Sequence, residues 1–352
     1  MAEERAILTL GSPAFAVEAR NFDYQRLLDD YLVESISLSE VADHASLTIA
    51  IAKAVAARIS AGKPGYVAFI WFFGTSQFSP FDEAMLRPLT GSGCRFFSGG
   101  GAGYDDVGTQ WMASQSAYYC NTPTAISIST ANGALMLMLA VMRSAYQGDV
   151  YTRSGKWRGD ISDPKDIYPI GLDIEGLTLG IIGMGTIGKA LSIRAQACGM
   201  NVIYYNRRRM PQSEENGARF TSLDELLTTS DVISLNCPLT TETRHILGAA
   251  EFNKMKHGMV IVNTSRGPVI DEDALVQALN SGKVSRFAAD VFENEPAIHP
   301  GLLEPHLAYR VMLQPHSTGR TTASFVKGER QIIKSLREYM SGQRPEYTVN
   351  LQ

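Results

Sequence analysis

The sequence contains few of the residues that mark secreted, metal-binding or membrane-spanning proteins. Only four of its 352 residues are cysteine, and no two of them form a C-x-x-C pair, so we expect reduced thiols and a cytoplasmic location. No spacing of histidine, cysteine and carboxylate side chains resembles a metal site, which predicts metal-free chemistry. The first residues lack the apolar segment of a secretion signal. The longest apolar helical stretch, residues 134–142, is far shorter than the ~20 residues that span a membrane.

The chain also lacks an excess of positive charge. Its 32 lysine and arginine residues are outnumbered by 36 aspartate and glutamate residues, for a net charge of −4. No global basic surface therefore predicts binding to nucleic acid or to an anionic membrane, and small molecules are the expected partners. The length and the 45% hydrophobic content are sufficient for two domains, each with its own core.

The most informative segment is a dinucleotide-binding pattern near the middle of the chain. An apolar run at residues 179–182 leads into G-M-G-T-I-G, which contains Gly183, Gly185 and Gly188, and a helical stretch and a second apolar strand ending at Asn206 follow. This order of strand, turn, helix and strand is the fingerprint of a βαβ nucleotide site. Gly183 would allow a tight turn, Gly185 would let a pyrophosphate approach the backbone, and Gly188 would let the helix pack closely on the strand.

Strand and helix signals alternate on both sides of this motif, which predicts an α/β fold with parallel sheets. Before the motif, the pattern predicts strands at residues 6–10, 67–71, 94–97 and 118–121, helices at residues 41–59, 80–89 and 133–143, and a loop at residues 147–171. After the motif, strand-like segments end in polar loops at residues 237–240, 263–267, 290–296 and 314–319. Because ligands bind at the carboxyl ends of strands in open parallel sheets, we expect these loops to surround the cofactor.

Three of these loops carry residues that suit hydride transfer from a dinucleotide to a carbonyl group. Such a reaction needs a hydride donor, a cation for an anionic substrate and an acid for the developing alkoxide. Arg266 offers a planar bidentate cation, and His316 offers an imidazole that titrates near neutral pH. Glu295 would orient the imidazole and stabilise its protonated form. Singly, each residue has a structural interpretation as a loop or salt-bridge residue; together on consecutive strand-end loops they favour catalysis.

A dense glycine turn at residues 98–105, S-G-G-G-A-G-Y-D, follows a predicted strand. Such a turn exposes backbone N–H groups that can hold an anion such as a carboxylate. A flexible linker of the same composition is the alternative interpretation.

Four motifs occur in a fixed order: G-M-G-T-I-G, N-T-S-R-G-P-V-I-D, A-D-V-F-E-N-E-P and P-H-S-T-G. From about residue 98 onward the chain resembles the D-specific 2-hydroxyacid dehydrogenase family, which includes glyoxylate, hydroxypyruvate and D-mandelate type enzymes. The resemblance implies a Rossmann-like dinucleotide domain at residues 131–321, inserted into a flavodoxin-like substrate domain at residues 1–130 plus 322–352, with the active site in the cleft. It also implies a D-hydroxy acid product and a homodimer formed mainly through the dinucleotide domains.

The resemblance assigns roles to individual residues. Arg266, Glu295 and His316 would form the catalytic set, and the Ala102 and Gly103 amides would bind the substrate carboxylate. The residues expected to contact the cofactor are Thr130, Gly183, Gly185, Thr186, Ile187, Gly188, Asn206, Arg207, Arg208, Cys237, Pro238, Thr243, Thr264, Arg266, Asp290, His316 and Gly319.

Aromatic residues near the predicted substrate site indicate the size of the substrate. By resemblance Phe72 and Phe73 would line the side-chain pocket, and Trp71 and Tyr104 lie close to them in the sequence. We therefore expect a bulky, aromatic or branched 2-oxo acid to be accepted at least as well as glyoxylate.

The tip of the second strand of the motif indicates the cofactor. In the NAD-specific form of the fold this strand ends in aspartate or glutamate, which accepts hydrogen bonds from the ribose hydroxyls. Here Asn206 stands in that place and is followed by Arg207, Arg208 and Arg209. The missing carboxylate removes repulsion of a 2′-phosphate, and arginines can pair with it. We expect NADP(H) to be preferred, with NAD(H) possible; a solvated basic turn is the alternative.

Other functions stay open at this stage. Some relatives of the family are dinucleotide-sensing transcriptional co-repressors, although no extended interaction segment is visible here. Formate dehydrogenase normally has glutamine where Glu295 stands, and no feature of the sequence supports phosphonate oxidation.

Overall fold

The computed structural model describes residues 5–13, 22–158 and 168–351. Its strands are β1 (Ala6–Leu10), β2 (Leu32–Ile36), β3 (Tyr66–Trp71), β4 (Phe96–Gly99), β5 (Tyr118–Cys120), β6 (Thr178–Ile182), β7 (Asn201–Tyr205), β8 (Arg219–Phe220), β9 (Val232–Leu235), β10 (Met259–Asn263), β11 (Val284–Ala289) and β12 (Val311–Leu313). Its helices are α1 (Phe22–Asp30), α2 (His44–Ser60), α3 (Glu83–Gly91), α4 (Thr109–Ser114), α5 (Pro123–Met142), α6 (Ala145–Arg153), α7 (Thr186–Ala197), α8 (Leu223–Thr229), α9 (Ala249–Lys254), α10 (Glu272–Asn280) and α11 (Thr322–Met340).

The chain divides into two compact units. The first unit comprises Met1–Ile126 and Arg320–Gln352, and the second comprises Ser127–Gly319. The first boundary falls inside α5, between Ile126 and Ser127, whereas the sequence predicted that the second domain begins at residue 131.

The first unit contains a five-stranded parallel sheet in the order β2-β1-β3-β4-β5, which is the flavodoxin-like order. Every residue of β1 is buried, as expected for a central parallel strand that is covered on both faces. α11 begins with a capping box formed by Thr321 and Ser324, and its apolar residues Ile332 and Leu336 are buried against Ile7 of β1. The carboxyl-terminal helix therefore completes the core of this unit.

The second unit contains a seven-stranded parallel sheet in the order β12-β11-β10-β9-β6-β7-β8. The chain order reverses between β6 and β9, which makes their carboxyl ends the topological switch point of a Rossmann-type sheet. The loops after these two strands meet directly, since a Cβ atom at Gly183 would lie 2.5 Å from the Cys237 nitrogen. The predicted α/β class with parallel sheets is confirmed.

The predicted loop at residues 147–171 is wrong in its first part, because α6 occupies Ala145–Arg153. None of the residues of α6 is buried, so the segment lacks the apolar periodicity that reveals a helix in a sequence. Residues 159–167 of the predicted loop lie outside the described residues.

The apolar helix α5 is longer than the sequence indicated. It covers the 20 residues Pro123–Met142, and it starts with proline, whose missing N–H is not needed in the first turn. By length and composition alone this helix could cross a membrane, but 56% of its most apolar window is buried. Leu137 and Val141 of α5 belong to the same hydrophobic cluster as Leu179 and Ile181 of β6. In this structure α5 is a core helix.

Candidate active site

The glycine motif after β6 forms the turn that the sequence predicted. Gly183 has a φ of +100°, a backbone conformation that favours glycine. A Cβ atom at Gly188 would lie 2.4 Å from the Gly183 carbonyl oxygen, so α7 packs closely on the turn. No described atom lies within 4 Å of the position of a Cβ atom at Gly185. The space beside Gly185 is thus open to a ligand at the amino terminus of α7, where Thr186 is the first helical residue.

The buried polar atoms around this turn fit a dinucleotide. The Thr264 Oγ1 and Asn236 Oδ1 atoms are buried and have no hydrogen-bond partner among the described residues. They follow β10 and β9 at the carboxyl edge of the sheet. A buried polar atom without a partner costs about 1–3 kcal/mol, which a polar ligand group would offset. With the open space at Gly185, these atoms form a site that the polar groups of a dinucleotide can satisfy.

Further residues predicted to contact the cofactor lie on α5, on α7 and on the segments that follow β9 and β12. Thr130 and Cys237 are buried, and burial raises the pKa of the Cys237 thiol to about 11, so this side chain stays neutral. The Thr243 hydroxyl donates to the Pro238 carbonyl oxygen over 2.7 Å and closes the loop after β9. Ile187 packs against the core of the unit, and Gly319 is the last residue of that unit.

The three arginines after β7 have different surroundings. Arg209 is engaged with the buried Glu215 carboxylate through contacts of 2.8 and 3.0 Å. Hydrogen bonds from Arg209 and Tyr204 lower the pKa of Glu215 to about 2. Arg207 and Arg208 are exposed. Of the three arginines, Arg209 therefore serves the fold, and the other two present their charge at the tip of the strand.

Asn206 occupies the end of β7 and has a structural partner. Its Oδ1 atom accepts a hydrogen bond of 2.7 Å from the Met184 N–H. The residue thus ties the tip of the second strand to the glycine turn.

The loop that carries Arg266 is fixed by its neighbours. The Asn263 side chain accepts a hydrogen bond from the Ser265 N–H at 3.1 Å and donates one to the Arg266 carbonyl oxygen at 2.9 Å. A Cβ atom at Gly267 would lie 1.8 Å from the carbonyl carbon of Phe292. Only glycine fits at this position, because the loop after β10 packs directly on the backbone of the loop after β11.

Glu295 and His316 form a hydrogen-bonded pair. The His316 Nδ1 atom lies 2.9 Å from the Glu295 Oε2 atom, and the Phe292 N–H donates to Glu295 Oε1 over 2.9 Å. Burial acts to raise the pKa of Glu295, but the hydrogen bond and charge of His316, the Phe292 N–H and the charge of Arg266 together lower it. The His316 side chain is 52% exposed. Arg266, Glu295 and His316 are thus brought together, and the imidazole is accessible to a small molecule.

Asp290 holds the backbone that follows His316. Its carboxylate, 1% exposed, accepts hydrogen bonds from the Ser317 N–H at 2.6 Å, the Thr318 N–H at 2.9 Å and the Thr318 hydroxyl at 2.5 Å. His316 itself has a φ of +52°, which is uncommon for a residue with a side chain. The sequence suggested cofactor contact for Asp290; in the structure both of its oxygens bind the loop of His316.

The glycine turn of the first unit is a fixed structure rather than a linker. The Asn121 side chain donates to the Ala102 carbonyl oxygen over 2.7 Å, and the Thr122 hydroxyl accepts from the Gly101 N–H at 2.8 Å. Within the described chain, no hydrogen bond occupies the N–H groups of Ala102 and Gly103. These two donors remain available to an anion.

Phe72, which the sequence predicted to line the side-chain pocket, lies in the core of the first unit. Phe72 is 3% exposed and packs in the core with Ile332 and Leu336 of α11. Trp71 is buried as well, stacked on Phe81 with ring centroids 4.2 Å apart. Successive residues of an extended strand point to opposite sides, and both sides of this parallel sheet are covered.

Phe73 and Tyr104 are the two aromatic residues of this group that reach the surface of the first unit. Phe73 is half-buried, with its ring 4.5 Å from the ring of Phe325. A Cβ atom at Gly328 of α11 would lie 2.3 Å from Phe73 Cζ, so glycine makes room for the ring. Tyr104 is exposed. Of the four aromatic residues that the sequence indicated, Phe73 and Tyr104 are therefore the candidates for contact with a ligand.

Comparisons with known proteins agree with this geometry. The family model described as "D-isomer specific 2-hydroxyacid dehydrogenase, NAD binding domain" matches residues 135–318. The chain is 41% identical to 4-methyl-2-oxopentanoate reductase A of Aspergillus oryzae over 258 residues, which cover 73% of this chain and 75% of that protein. It is 38% identical to a glyoxylate reductase of Thermococcus litoralis over 250 residues, 70% of this chain and 74% of the relative.

Solved structures show the same architecture. A glyoxylate reductase from Paecilomyes thermophila superposes with a TM-score of 0.85 at 34% identity, over 99% of both chains. The holo form of Rhodotorula graminis D-mandelate dehydrogenase superposes with a TM-score of 0.82 at 26% identity, over 99% of this chain and 98% of that one. The chain therefore belongs to the D-isomer specific 2-hydroxyacid dehydrogenase family and is an NAD(P)-dependent oxidoreductase that acts on 2-oxo and 2-hydroxy acids.

Proposed function

We propose that the protein reduces a 2-oxo acid to the D-2-hydroxy acid with NADPH, with His316 as the proton donor, Glu295 as its partner and Arg266 as the clamp for the carboxylate. The observation that carries this proposal is the 2.9 Å contact between His316 Nδ1 and Glu295 Oε2 on adjacent strand-end loops. The D configuration of the product rests on family membership.

The residues of the chain supply the proton and the orientation. NADPH, when bound, supplies the hydride. Because Nδ1 of His316 is engaged by Glu295, the other ring nitrogen is left to donate a proton to the carbonyl oxygen. The Glu295 carboxylate stabilises the imidazolium before transfer and keeps the ring in one orientation. For the reverse reaction, the neutral imidazole accepts the proton from the hydroxyl group.

Arg266 is suited to the substrate carboxylate. Arg266 is half-buried on a loop fixed by Asn263 and Gly267, and a planar guanidinium binds a carboxylate through two hydrogen bonds. The Ala102 and Gly103 amides are a second candidate anion-binding element, on the first unit.

The preference for NADPH is supported by the surroundings of the β7 tip. Arg207 and Arg208 are exposed, and no carboxylate stands at the end of the strand, where Asn206 lies. One or two charge-assisted hydrogen bonds to a 2′-phosphate, each worth ~1.5–3 kcal/mol, would favour NADPH by about 10- to 1,000-fold. Measuring kcat/KM with both cofactors tests this: equal values, or a preference for NADH, would contradict it.

For the substrate we propose a branched or aromatic 2-oxo acid. One relative, 41% identical, is named for 4-methyl-2-oxopentanoate, whereas others are named glyoxylate reductases. Phe73 and Tyr104 provide aromatic surface beside the glycine turn. A spectrophotometric assay with glyoxylate, 4-methyl-2-oxopentanoate and phenylpyruvate decides between the two classes. A kcat/KM for glyoxylate far above both other values would rule out the bulky substrate. No oxidation of NADPH with any 2-oxo acid would instead favour a dinucleotide-sensing binding protein.

We further propose that the protein is a homodimer formed through the second unit. Large apolar side chains are exposed on and after α6, including Trp157 at 71% and Ile170 at 78% exposure. Exposed apolar surface of this kind marks interaction sites. Light scattering should give a dimer for the native chain and a shift toward monomer for Trp157→Glu. Leu303→Glu is the matched control, since Leu303 is also an exposed apolar residue of the second unit.

A further inference from the structure

The loop that carries Glu295 is anchored by a buried carboxyl group that the mechanism does not use. Glu272 is the first residue of α10 and is 4% exposed. Its Oε1 atom accepts a hydrogen bond of 3.0 Å from the Glu293 N–H. The contact links α10 to the backbone of the loop at a point two residues before Glu295.

Two consecutive amides of this loop donate to two different carboxyl groups. The Phe292 N–H donates to Glu295 Oε1 at 2.9 Å, and the Glu293 N–H donates to Glu272 Oε1 at 3.0 Å. The orientation of one peptide unit therefore constrains the next. Loss of the acceptor on Glu272 would free the Glu293 amide and, through it, the amide that orients the Glu295 carboxylate.

The side chain of Glu293 is held as well. Its Oε1 atom contacts Arg244 Nη2 at 3.0 Å and His245 Nε2 at 2.7 Å. Both partners come from the segment between β9 and α9. The loop is thus fixed through its backbone by Glu272 and through its side chain by Arg244 and His245.

The charged groups around Glu272 come from the loop itself and from the segment that follows it. Burial and the nearby carboxylates of Glu293 and Glu295 raise the pKa of Glu272, while the Glu293 N–H and His299 lower it. A carboxyl oxygen accepts a hydrogen bond in either protonation state, so the contact with the Glu293 amide does not depend on ionisation.

We infer that Glu272 is a positioning residue for the reaction: its Oε1 atom holds the loop so that Glu295 meets His316. This inference rests on the proposed catalytic role of the Glu295 and His316 pair. Glu272 touches neither of the two groups that would react with substrate, so its effect passes through the loop. The loop is held by the Glu272 Oε1 atom as a hydrogen-bond acceptor, and the charge of Glu272 is not required.

Three substitutions separate these features. Glu272→Gln keeps the length and the acceptor but removes the charge, Glu272→Asp keeps the charge but shortens the reach, and Glu272→Ala removes both. We expect the glutamine variant to retain activity within about threefold of the native protein, and the other two to lose kcat by about 10- to 100-fold, as for a displaced catalytic group. Binding of NADPH, measured by fluorescence, should stay unchanged in all three. Asp273→Ala is the matched control, because Asp273 is the next residue of α10 and its 87% exposed side chain pairs with His299 rather than with the amides of the Glu295 loop.

Two readouts report on the pair itself. In the Glu272→Ala and Glu272→Asp variants a displaced Glu295 would stabilise the His316 imidazolium less. The imidazolium would then lose its proton at lower pH, so the alkaline limb of the plot of kcat against pH should move to lower pH. Nitrogen-15 spectra of selectively labelled histidine should show a changed His316 signal in the same two variants and a native signal in Glu272→Gln and Asp273→Ala.

The outcomes keep this inference apart from the proposed function. A native pH profile and a native His316 signal in the folded alanine or aspartate variant would overturn the role of Glu272, as would equal losses in the glutamine and alanine variants. If the alanine variant does not fold, the comparison of Glu272→Asp with Glu272→Gln still decides the question. Normal turnover of His316→Ala would overturn the proposed function instead. In that case the His316 signal of the Glu272 variants, which keep the histidine, would still report whether Glu272 positions the loop.

Discussion

The Nδ1 atom of His316 lies 2.9 Å from the Oε2 atom of Glu295, although the two residues belong to loops that follow different strands of the second unit. A further buried carboxyl group holds the backbone next to each partner. Asp290 accepts hydrogen bonds from the two amides after His316. Glu272 accepts one from the Glu293 amide, two residues before Glu295. The geometry of a hydrogen bond between two loops depends on how firmly the backbone of each loop is held. Asp290 and Glu272 therefore fix the distance and orientation of the His316 and Glu295 side chains.

Replacement of His316 tests the proton donor. We expect His316→Ala to lower kcat by roughly 10²–10⁴ while the Kd for NADPH stays nearly unchanged, because the acid is lost and the cofactor contacts are kept. His306→Ala is a matched control, since His306 is paired with Asn280 rather than with a catalytic group. Near-normal turnover in the first variant would refute the assignment.

The arginines after β7 allow a controlled test of cofactor preference. Combined replacement of Arg207 and Arg208 by alanine should lower kcat/KM with NADPH by about 10- to 1,000-fold and leave the value with NADH nearly unchanged. Arg209→Ala should leave the preference intact, because Arg209 is bound to Glu215. Its effect should appear as a lower melting temperature. A change of preference in Arg209→Ala alone would show that the pair with Glu215 opens when the cofactor binds.

Glu215 predicts a pH-dependent contribution to stability. Its pKa is about 2 in the folded protein, against 4.5 for an ordinary glutamate. Because the folded-state value is lower, the stabilisation is fully present above pH 4.5 and is lost as the pH falls toward 2. The melting temperature of Glu215→Gln should thus be lower than that of the native protein at neutral pH, and the difference should shrink below pH 4.5. A difference that is constant down to pH 3 would contradict the ionic origin of this contribution.

Because Gly267 lies directly against the Phe292 backbone and next to Arg266, a side chain at this position should lower both the stability of the protein and its activity. In Gly267→Ala the new methyl group would overlap the Phe292 backbone, and we expect a loss of stability of about 1–3 kcal/mol as the loop shifts, as for other overpacked sites. The shift would also displace Arg266, so kcat/KM should fall together with the melting temperature. Gly91→Ala is the control, because no atom lies within 4 Å of its new methyl group. An equal effect of both substitutions would assign the loss to backbone flexibility alone.

The glycine turn could be predicted from the sequence because its roles follow from the backbone. Gly183 needs a positive φ and Gly188 needs close contact with the turn, and no other residue type fits either place. The loops with Arg266, Glu295 and His316 could be placed for a related reason: strand ends in a parallel sheet meet at one edge.

Other features required the packed structure. Phe72 and Phe73 are neighbours of the same type and both pack against α11, yet Phe72 is buried and Phe73 is half-buried. The sequence contains no signal for this difference in exposure. The α6 helix escaped prediction because it has no buried residue. Glu272 belongs to no motif in the sequence, and only the fold shows that its side chain reaches the Glu293 amide.

The hydrogen bond from the Met184 amide to Asn206 has a consequence for how such enzymes diverge. Aspartate at this position would keep an oxygen for the same amide and would add the charge that selects NADH. In the genetic code the asparagine and aspartate codons differ by a single nucleotide. A lineage could therefore gain or lose the carboxylate that binds the ribose hydroxyls by a single nucleotide change, while the contact between the strand tip and the glycine turn is kept.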